Sequence, residues 1–267
     1  DEDGTNLIAT YFDTANIEDN ESFYQEFKFS GASDRIDWVG GVSYYKEKAD
    51  QISDTHTYTD GIDTLGVNLG IYDALGLPFP LYAGTSDLLP LFGIDGVTML
   101  GMPWREAMYN RGDFEAFAAF GDVIWHVNDR TNLTFGLRYT HDKKEFTWIN
   151  GPHETPELDA VVAGLDQAGV FSVLGIPAEA YRFSDIVFQV DTPPGGLTKK
   201  DSWDDVSPRL VLDYKIASNV MVFGSLAKGY KAGGYNSTEV GSEFENEDVW
   251  NFETGIKSVF PEANVVL

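Results

Sequence analysis

Along much of this chain, apolar and polar residues alternate one for one. The pattern is cleanest in Asn132–Trp148, where Leu133, Phe135, Leu137 and Tyr139 fall on one face and Asn132, Thr134, Arg138, Thr140 and Asp142 on the other. Successive side chains of a strand point to opposite faces, so this period of two predicts a strand with one greasy and one polar side. Val206–Lys215 repeats the split, with Val206, Pro208, Leu210, Leu212 and Tyr214 against Ser207, Arg209, Asp213 and Lys215. In Val249–Ser258, Trp250, Phe252 and Ile256 oppose Asn251, Glu253 and Lys257. Further strands are predicted at Ser22–Ser30, Arg35–Glu47, Phe114–Val127 and Val220–Tyr230, with a weaker one at Asn6–Phe12. The faces of Val220–Tyr230 are not separable by pattern, because Met221 and Phe223 compete with Val222 and Leu226.

Short and long connections alternate between these strands. Gly31-Ala32-Ser33-Asp34, Asn128-Asp129-Arg130-Thr131, Ile216-Ala217-Ser218-Asn219 and Phe260-Pro261-Glu262-Ala263-Asn264 are short and rich in turn formers. Lys48–Asp113, Ile149–Lys200 and Lys231–Asp248 are long. All long loops then lie at one end of the strands, the arrangement of an outer-membrane barrel with short periplasmic turns and longer extracellular loops. Several predicted strands exceed the five or six residues typical of soluble sheets, whereas a tilted membrane strand needs about 9–11. Aromatic residues gather near strand ends (Trp38, Tyr44, Tyr45, Trp125, Tyr139, Trp148, Tyr214, Tyr230 and Trp250), where amphipathic rings suit a membrane interface. A lipocalin-like or sandwich domain using the same rings as core is the competing architecture.

Composition narrows the choice. The chain of 267 residues holds no apolar run long enough for a transmembrane helix, but alternating strands average out to a polar chain, so a membrane barrel stays open. A formal net charge of -25 makes nucleic acid an implausible partner. Zero cysteines rule out disulfides, thiolate metal sites and thiol catalysis. The start at Asp1-Glu2-Asp3-Gly4 has no signal-peptide pattern, so either a signal has been removed or the chain begins mid-protein; the stop on Val265-Val266-Leu267, where a strand should be beginning, leads us to expect a fragment.

Specific motifs carry a family resemblance. Ser202-Trp203-Asp204-Asp205-Val206-Ser207-Pro208-Arg209-Leu210-Val211-Leu212-Asp213-Tyr214 resembles a late barrel segment of TonB-dependent receptors. Lys228-Gly229-Tyr230-Lys231-Ala232-Gly233-Gly234-Tyr235-Asn236 is similar to that family's strand-ending Lys/Arg-Gly-aromatic-Lys/Arg-x-Gly-Gly-aromatic-Asn. Trp250-Asn251-Phe252-Glu253-Thr254-Gly255-Ile256-Lys257-Ser258 resembles its Trp-Asn-Tyr-Glu strand, with Phe252 in place of Tyr. Gly136-Leu137-Arg138-Tyr139-Thr140-His141-Asp142 and Tyr24-Gln25-Glu26-Phe27-Lys28-Phe29 resemble two earlier ones, the latter departing at Tyr24 and Phe27. The resemblance implies an all-β fold: an antiparallel transmembrane barrel segment in the bacterial outer membrane. It further implies that residues 1–267 form part of one barrel domain of about twenty-two strands whose plug domain is not in this chain. The implied function is active import of a scarce ligand (a ferric siderophore or similar chelate, cobalamin, haem or an oligosaccharide), with the TonB complex acting through the plug. Outer-membrane lipid and an extracellular small molecule are the implied partners.

Candidate site residues follow. Arg138, Arg209, Glu253 and Lys257 sit on polar faces that would line the lumen and meet a plug or ligand, or pair across strands. The loop Lys48–Asp113 is unusually apolar, with Leu77-Pro78-Phe79-Pro80-Leu81-Tyr82 and Leu88-Leu89-Pro90-Leu91-Phe92, and contains Met99, Met102, Met108 and Trp104-Arg105. Such a loop suits either ligand contact or loop-on-loop packing; Phe79, Tyr82, Trp104, Arg105, Arg138 and Arg209 are the ligand-binding candidates. His56, His126, His141 and His153 show no zinc-ligand spacing, although His56 and His153 lie in loops where a haem receptor would place them. The acidic runs Asp54–Asp63, Asp201–Asp205 and Glu239–Asp248 do not follow the twelve-residue calcium loop. No nucleophile elbow, phosphate loop or His-Glu-x-x-His helix occurs, and adjacent Asp204 and Asp205 should point to opposite faces, so neither a cofactor nor an enzyme is expected. A passive porin or adhesion barrel and a soluble β-rich binding module are the alternative readings.

Overall fold

The computed structural model describes residues 12–182, 188, 190–260 and 265–266. Eight strands form one sheet: β1 (Phe12–Ala32), β2 (Ile36–Tyr58), β3 (Pro103–Asn128), β4 (Thr131–Asn150), β5 (Leu197–Ala217), β6 (Val220–Lys231), β9 (Glu247–Phe260) and β10 (Val265–Val266). Every neighbouring pair is antiparallel and follows chain order, and β7 (Gly234–Tyr235) with β8 (Glu243–Phe244) makes a separate small hairpin. The predicted strand at Asn6–Phe12 and the predicted turn at Phe260–Asn264 fall almost wholly outside the described residues. The turns at Gly31–Asp34, Asn128–Thr131 and Ile216–Asn219 join their strands as expected. In the second of them the Arg130 amide donates to Asn128 Oδ1 at 2.9 Å.

The greasy faces point out. Register places Trp38 opposite Val123, Tyr44 opposite Phe117, Val123 opposite Phe135, and Phe135 opposite Leu210, so these rings and branched chains share one side of the sheet. Leu137 is 56% and Phe252 76% exposed, where a two-sheet sandwich would have buried them. Backbone pairing also resolves β6: Val222 faces Ile256 and Leu226 faces Phe252, which puts Val222 and Leu226 on the outward side. Trp38, Trp125 and Tyr214 mark the short-turn end of this band, with Tyr44, Phe117 and Tyr139 at the other. From Trp125 to Phe117 is about nine residues, or about 26 Å along the strand, close to the roughly 25 Å apolar band of an outer-membrane barrel. Beyond Tyr44 and Phe117 the outward side turns charged: Lys46 contacts Glu115 at 2.8 Å and Asp113 at 3.6 Å, and His141 contacts Asp204 at 2.9 Å.

Two expectations need correction. The long connections are shorter than the lack of apolar–polar alternation implied, because β2 and β3 continue far above the apolar band. Lys48 pairs with Asp113, and the ladder runs unbroken to Tyr58 opposite Pro103. In this extension the outward side carries charged pairs such as Lys46–Glu115, so the greasy/polar contrast disappears while the backbone hydrogen bonds persist. Likewise Leu197–Lys200 belongs to β5, and β7, β8 and the start of β9 lie within the connection expected at Lys231–Asp248. The second correction concerns the aromatic belt. Trp148 is fully buried at the long-loop end, and Tyr45 faces Ala116 on the inward side.

Candidate functional site

All three long connections fold onto the inward-facing tips of β3 and β4. In the first, α1 (Thr59–Asn68), α2 (Ile71–Ala74) and α3 (Leu81–Leu88) are followed by a 3-10 turn at Leu89–Phe92. The second holds α4 (Pro156–Gln167), α5 (Val170–Leu174) and a 3-10 turn at Ala178–Arg182. Gly70 (φ 67) and Gly169 (φ 76) break the chain between successive helices in backbone conformations that L side chains resist. Buried side chains from the helices of the two loops meet in a single core that includes Tyr82, Leu89, Trp104, Leu158, Val162 and Tyr181.

Polar contacts fix this cap. The Asp63 carboxylate accepts from the Tyr72 hydroxyl at 2.6 Å, from the Ala83 amide at 2.7 Å and from the Tyr82 amide at 3.1 Å, at the N-terminus of α3 where free amides and the helix dipole favour an anion. Tyr82 donates to the Tyr181 carbonyl at 3.1 Å, and Thr85 and Tyr181 share a 2.6 Å hydroxyl contact, which clasps the first loop to the second. Burial pushes the Tyr72, Tyr82 and Tyr181 phenols up, with the Asp63 charge adding to each. Backbone hydrogen bonds in both directions between Arg105 and Glu154 tie the second loop to β3, and the His153 ring stacks on Trp104 at 3.9 Å. A second core of Met108, Phe146, Trp148 and Phe188 takes in Tyr235 from the third connection. There Trp148 Nε1 donates to the Asn236 carbonyl at 2.7 Å and Tyr235 to Asp201 at 2.7 Å.

The six candidate ligand residues do not share one place. Tyr82 and Trp104 are buried in the cap, with Phe79 packed against the same core. Arg105 lies on the outward side of β3, held by Asp54 at 3.0 Å and Glu154 at 3.1 Å. Arg138 and Arg209 sit lower, on the inward face at the level of the apolar band: Arg138 lies over the Phe120 ring at 5.7 Å, and Arg209 pairs with Asp122 at 3.6 Å. Lys257 lies over the Phe223 ring at 5.0 Å. Asp204 and Asp205 diverge as strand geometry requires, Asp204 towards His141 and Asp205 to a buried contact with Lys228. Sequence reasoning passed over Tyr72, Tyr181 and Glu106, and met Asp63 only as the end of the acidic run Asp54–Asp63. Glu106 is buried and accepts from Trp104 Nε1 at 3.0 Å and the Phe188 amide at 3.1 Å. Two acids in apolar surroundings were the available signal, since a buried carboxylate must find donors. Among the described residues no group of three or more His, Asp or Glu is placed to hold a metal ion.

The comparisons with known proteins agree with this architecture. The pesticin receptors of Yersinia enterocolitica (serotype O:8 / biotype 1B) and Yersinia pestis are each 27% identical over 157 residues, covering 57% of this chain and 17% of theirs, so the chain spans under a fifth of those relatives. The crystal structure of the ferric yersiniabactin uptake receptor FyuA from Yersinia pestis superposes over 95% of this chain and 28% of its own, with TM-score 0.56 and 18% identity, a likeness of fold. The family model "TonB dependent receptor-like, beta-barrel" matches residues 2–265. Its members are transport receptors rather than enzymes. An antiparallel sheet with an outward apolar band and loops gathered at one end is what that match requires, and the chain belongs to the TonB-dependent receptor-like β-barrel family of the bacterial outer membrane.

Proposed function

We propose that residues 1–267 are part of one barrel domain of a receptor that captures a scarce extracellular ligand in its loops and imports it, driven by TonB through a plug domain outside this chain. The observation that carries the reading is the cap. Three connections are folded into two packed cores over the inward tips of β3 and β4, above strands whose lower halves present hydrocarbon-compatible side chains outward. A rigid scaffold holding large ordered loops is how binding surfaces are commonly built. The inward charges Arg138, Arg209, Glu253 and Lys257 supply polar surface for a plug or a passing ligand, and Phe79 at the edge of the cap core supplies an aromatic contact. A siderophore-type chelate is the favoured cargo, because the relatives include pesticin receptors and a structure described as a ferric yersiniabactin uptake receptor.

The test is accumulation of radiolabelled ferric siderophores by iron-starved cells carrying the full-length receptor. Accumulation that requires both the receptor and TonB supports the proposal. Equal accumulation without TonB, together with large steady conductance of the purified receptor in planar bilayers, would instead make it a passive porin.

A further inference from the structure

We propose that the cap carries an apolar pocket for an uncharged aromatic or branched alkyl group of an extracellular small molecule. A cavity of about 330 Å³ lies between α1, α2, α3 and the 3-10 turn of the second loop, walled by Ile62, Leu65, Tyr72, Leu75, Leu81 and Ala180. That volume is at the lower end of small-molecule sites, and an engineered apolar cavity of about half the size stays dry and accepts benzene.

Among the described residues, the wall selects by what it lacks. Tyr72 brings the one side-chain hydroxyl among these six residues, and that hydroxyl donates to Asp63 at 2.6 Å, leaving a guest no free hydroxyl donor among them. Any polar guest would shed its water without replacement, which favours an apolar one. Ile71 and Leu75, 43% and 68% exposed, form an apolar lip through which a guest enters from solvent. Residues 59–102 hold five aspartates (Asp60, Asp63, Asp73, Asp87 and Asp95) and no Lys or Arg, so the field around the lip repels anions. Identifying the guest as part of a transported ligand rests on the uptake reading above; the pocket and its selectivity do not.

The chain contains no cysteine, so thiols can be placed singly. In the full-length receptor on intact cells, freed of any other cysteines, Ala180→Cys puts a thiol in the pocket wall. Val173→Cys puts one on an exposed face of α5, as a reference. Each variant is treated with benzyl methanethiosulfonate, which is uncharged and aromatic, and with sulfonatoethyl methanethiosulfonate, which is small and anionic. The benzyl-to-sulfonatoethyl rate ratio should be roughly tenfold larger at position 180 than at position 173, given the free energy of burying one ring. Equal ratios, or a position 180 that reacts with neither reagent, would overturn the proposal. Should Ala180→Cys fail to reach the membrane, Leu75→Cys at the lip is read in the same way. An unaltered receptor that shows no TonB-dependent accumulation defeats the uptake reading but leaves these ratios untouched, so the two failures are distinguishable.

Discussion

Asp63 and Tyr72 meet in the interior of the cap, with the phenol donating to the buried carboxylate at 2.6 Å. The same carboxylate holds the first amides of α3 and thereby joins three segments of one loop. Asp63→Ala leaves those donors without a partner in a buried setting, and the expected loss is about 3 kcal/mol of local stability. Tyr72→Phe keeps the amide contacts and should lose about 1.5 kcal/mol. Amide hydrogen exchange should show residues 59–102 opening in both variants, more in the first, while heat-modifiable migration of the barrel on gels stays unchanged. Barrel unfolding in step with the cap would contradict this division.

Alkaline pH should loosen the cap before the sheet. Tyr72, Tyr82 and Tyr181 have folded-state values raised above the ordinary phenol value of about 10, with burial as the first cause. A group raised in the folded state contributes its full stability below the unfolded value. Above about pH 10 the unfolded cap ionises these phenols while the folded cap cannot, so stability falls as pH rises further. Ultraviolet titration should show exposed tyrosines ionising first and these three last, together with accelerated exchange in the cap. Normal ionisation of all tyrosines with the cap still protected would rule this out.

Neighbouring residues of β9 should respond in opposite ways to the same charge. Phe252 points outward, whereas Asn251, opposite Ala227, points inward. Phe252→Arg places a cation against hydrocarbon and should cost about 2–4 kcal/mol near the membrane midplane. Asn251→Arg should be tolerated. Equilibrium folding into phospholipid vesicles measures both, and equal penalties would mean that the outward face does not meet lipid.

Lys228 stands just beyond Ala227, the last residue of β6 paired with β5, and bridges buried Asp205 to Asp248, the latter at 3.1 Å. Lys228→Met strands the Asp205 charge and should lower the unfolding temperature. Asp248→Asn removes only the more exposed partner and should lower it less. Asp205→Asn combined with Lys228→Met should recover part of the loss; if the double variant falls by the sum of the singles, the residues are not coupled.

The sequence alone determined most strands where they cross lipid, the faces of β6 being the exception that backbone pairing had to settle. Leu133, Phe135 and Leu137, and again Phe252 and Ile256, announce their faces because two solvents of opposite character lie on the two sides. Above the band this contrast vanishes. The Lys48–Asp113 pair, where the sequence suggests that a loop begins and ends, turned out to be a rung in the middle of a ladder made by backbone groups that no side-chain pattern reports. The same reason hid the cap. Phe79, Tyr82 and Trp104 stood out as apolar residues in a loop, but whether they greet a ligand or each other depends on which distant helix reaches them. Asp63 and Tyr181 lie far apart in sequence, and only the folded chain brings both to Tyr82. Lipid contact is a local property written every second residue, whereas loop packing is a long-range choice settled by shape and by the need of each buried polar atom for a partner.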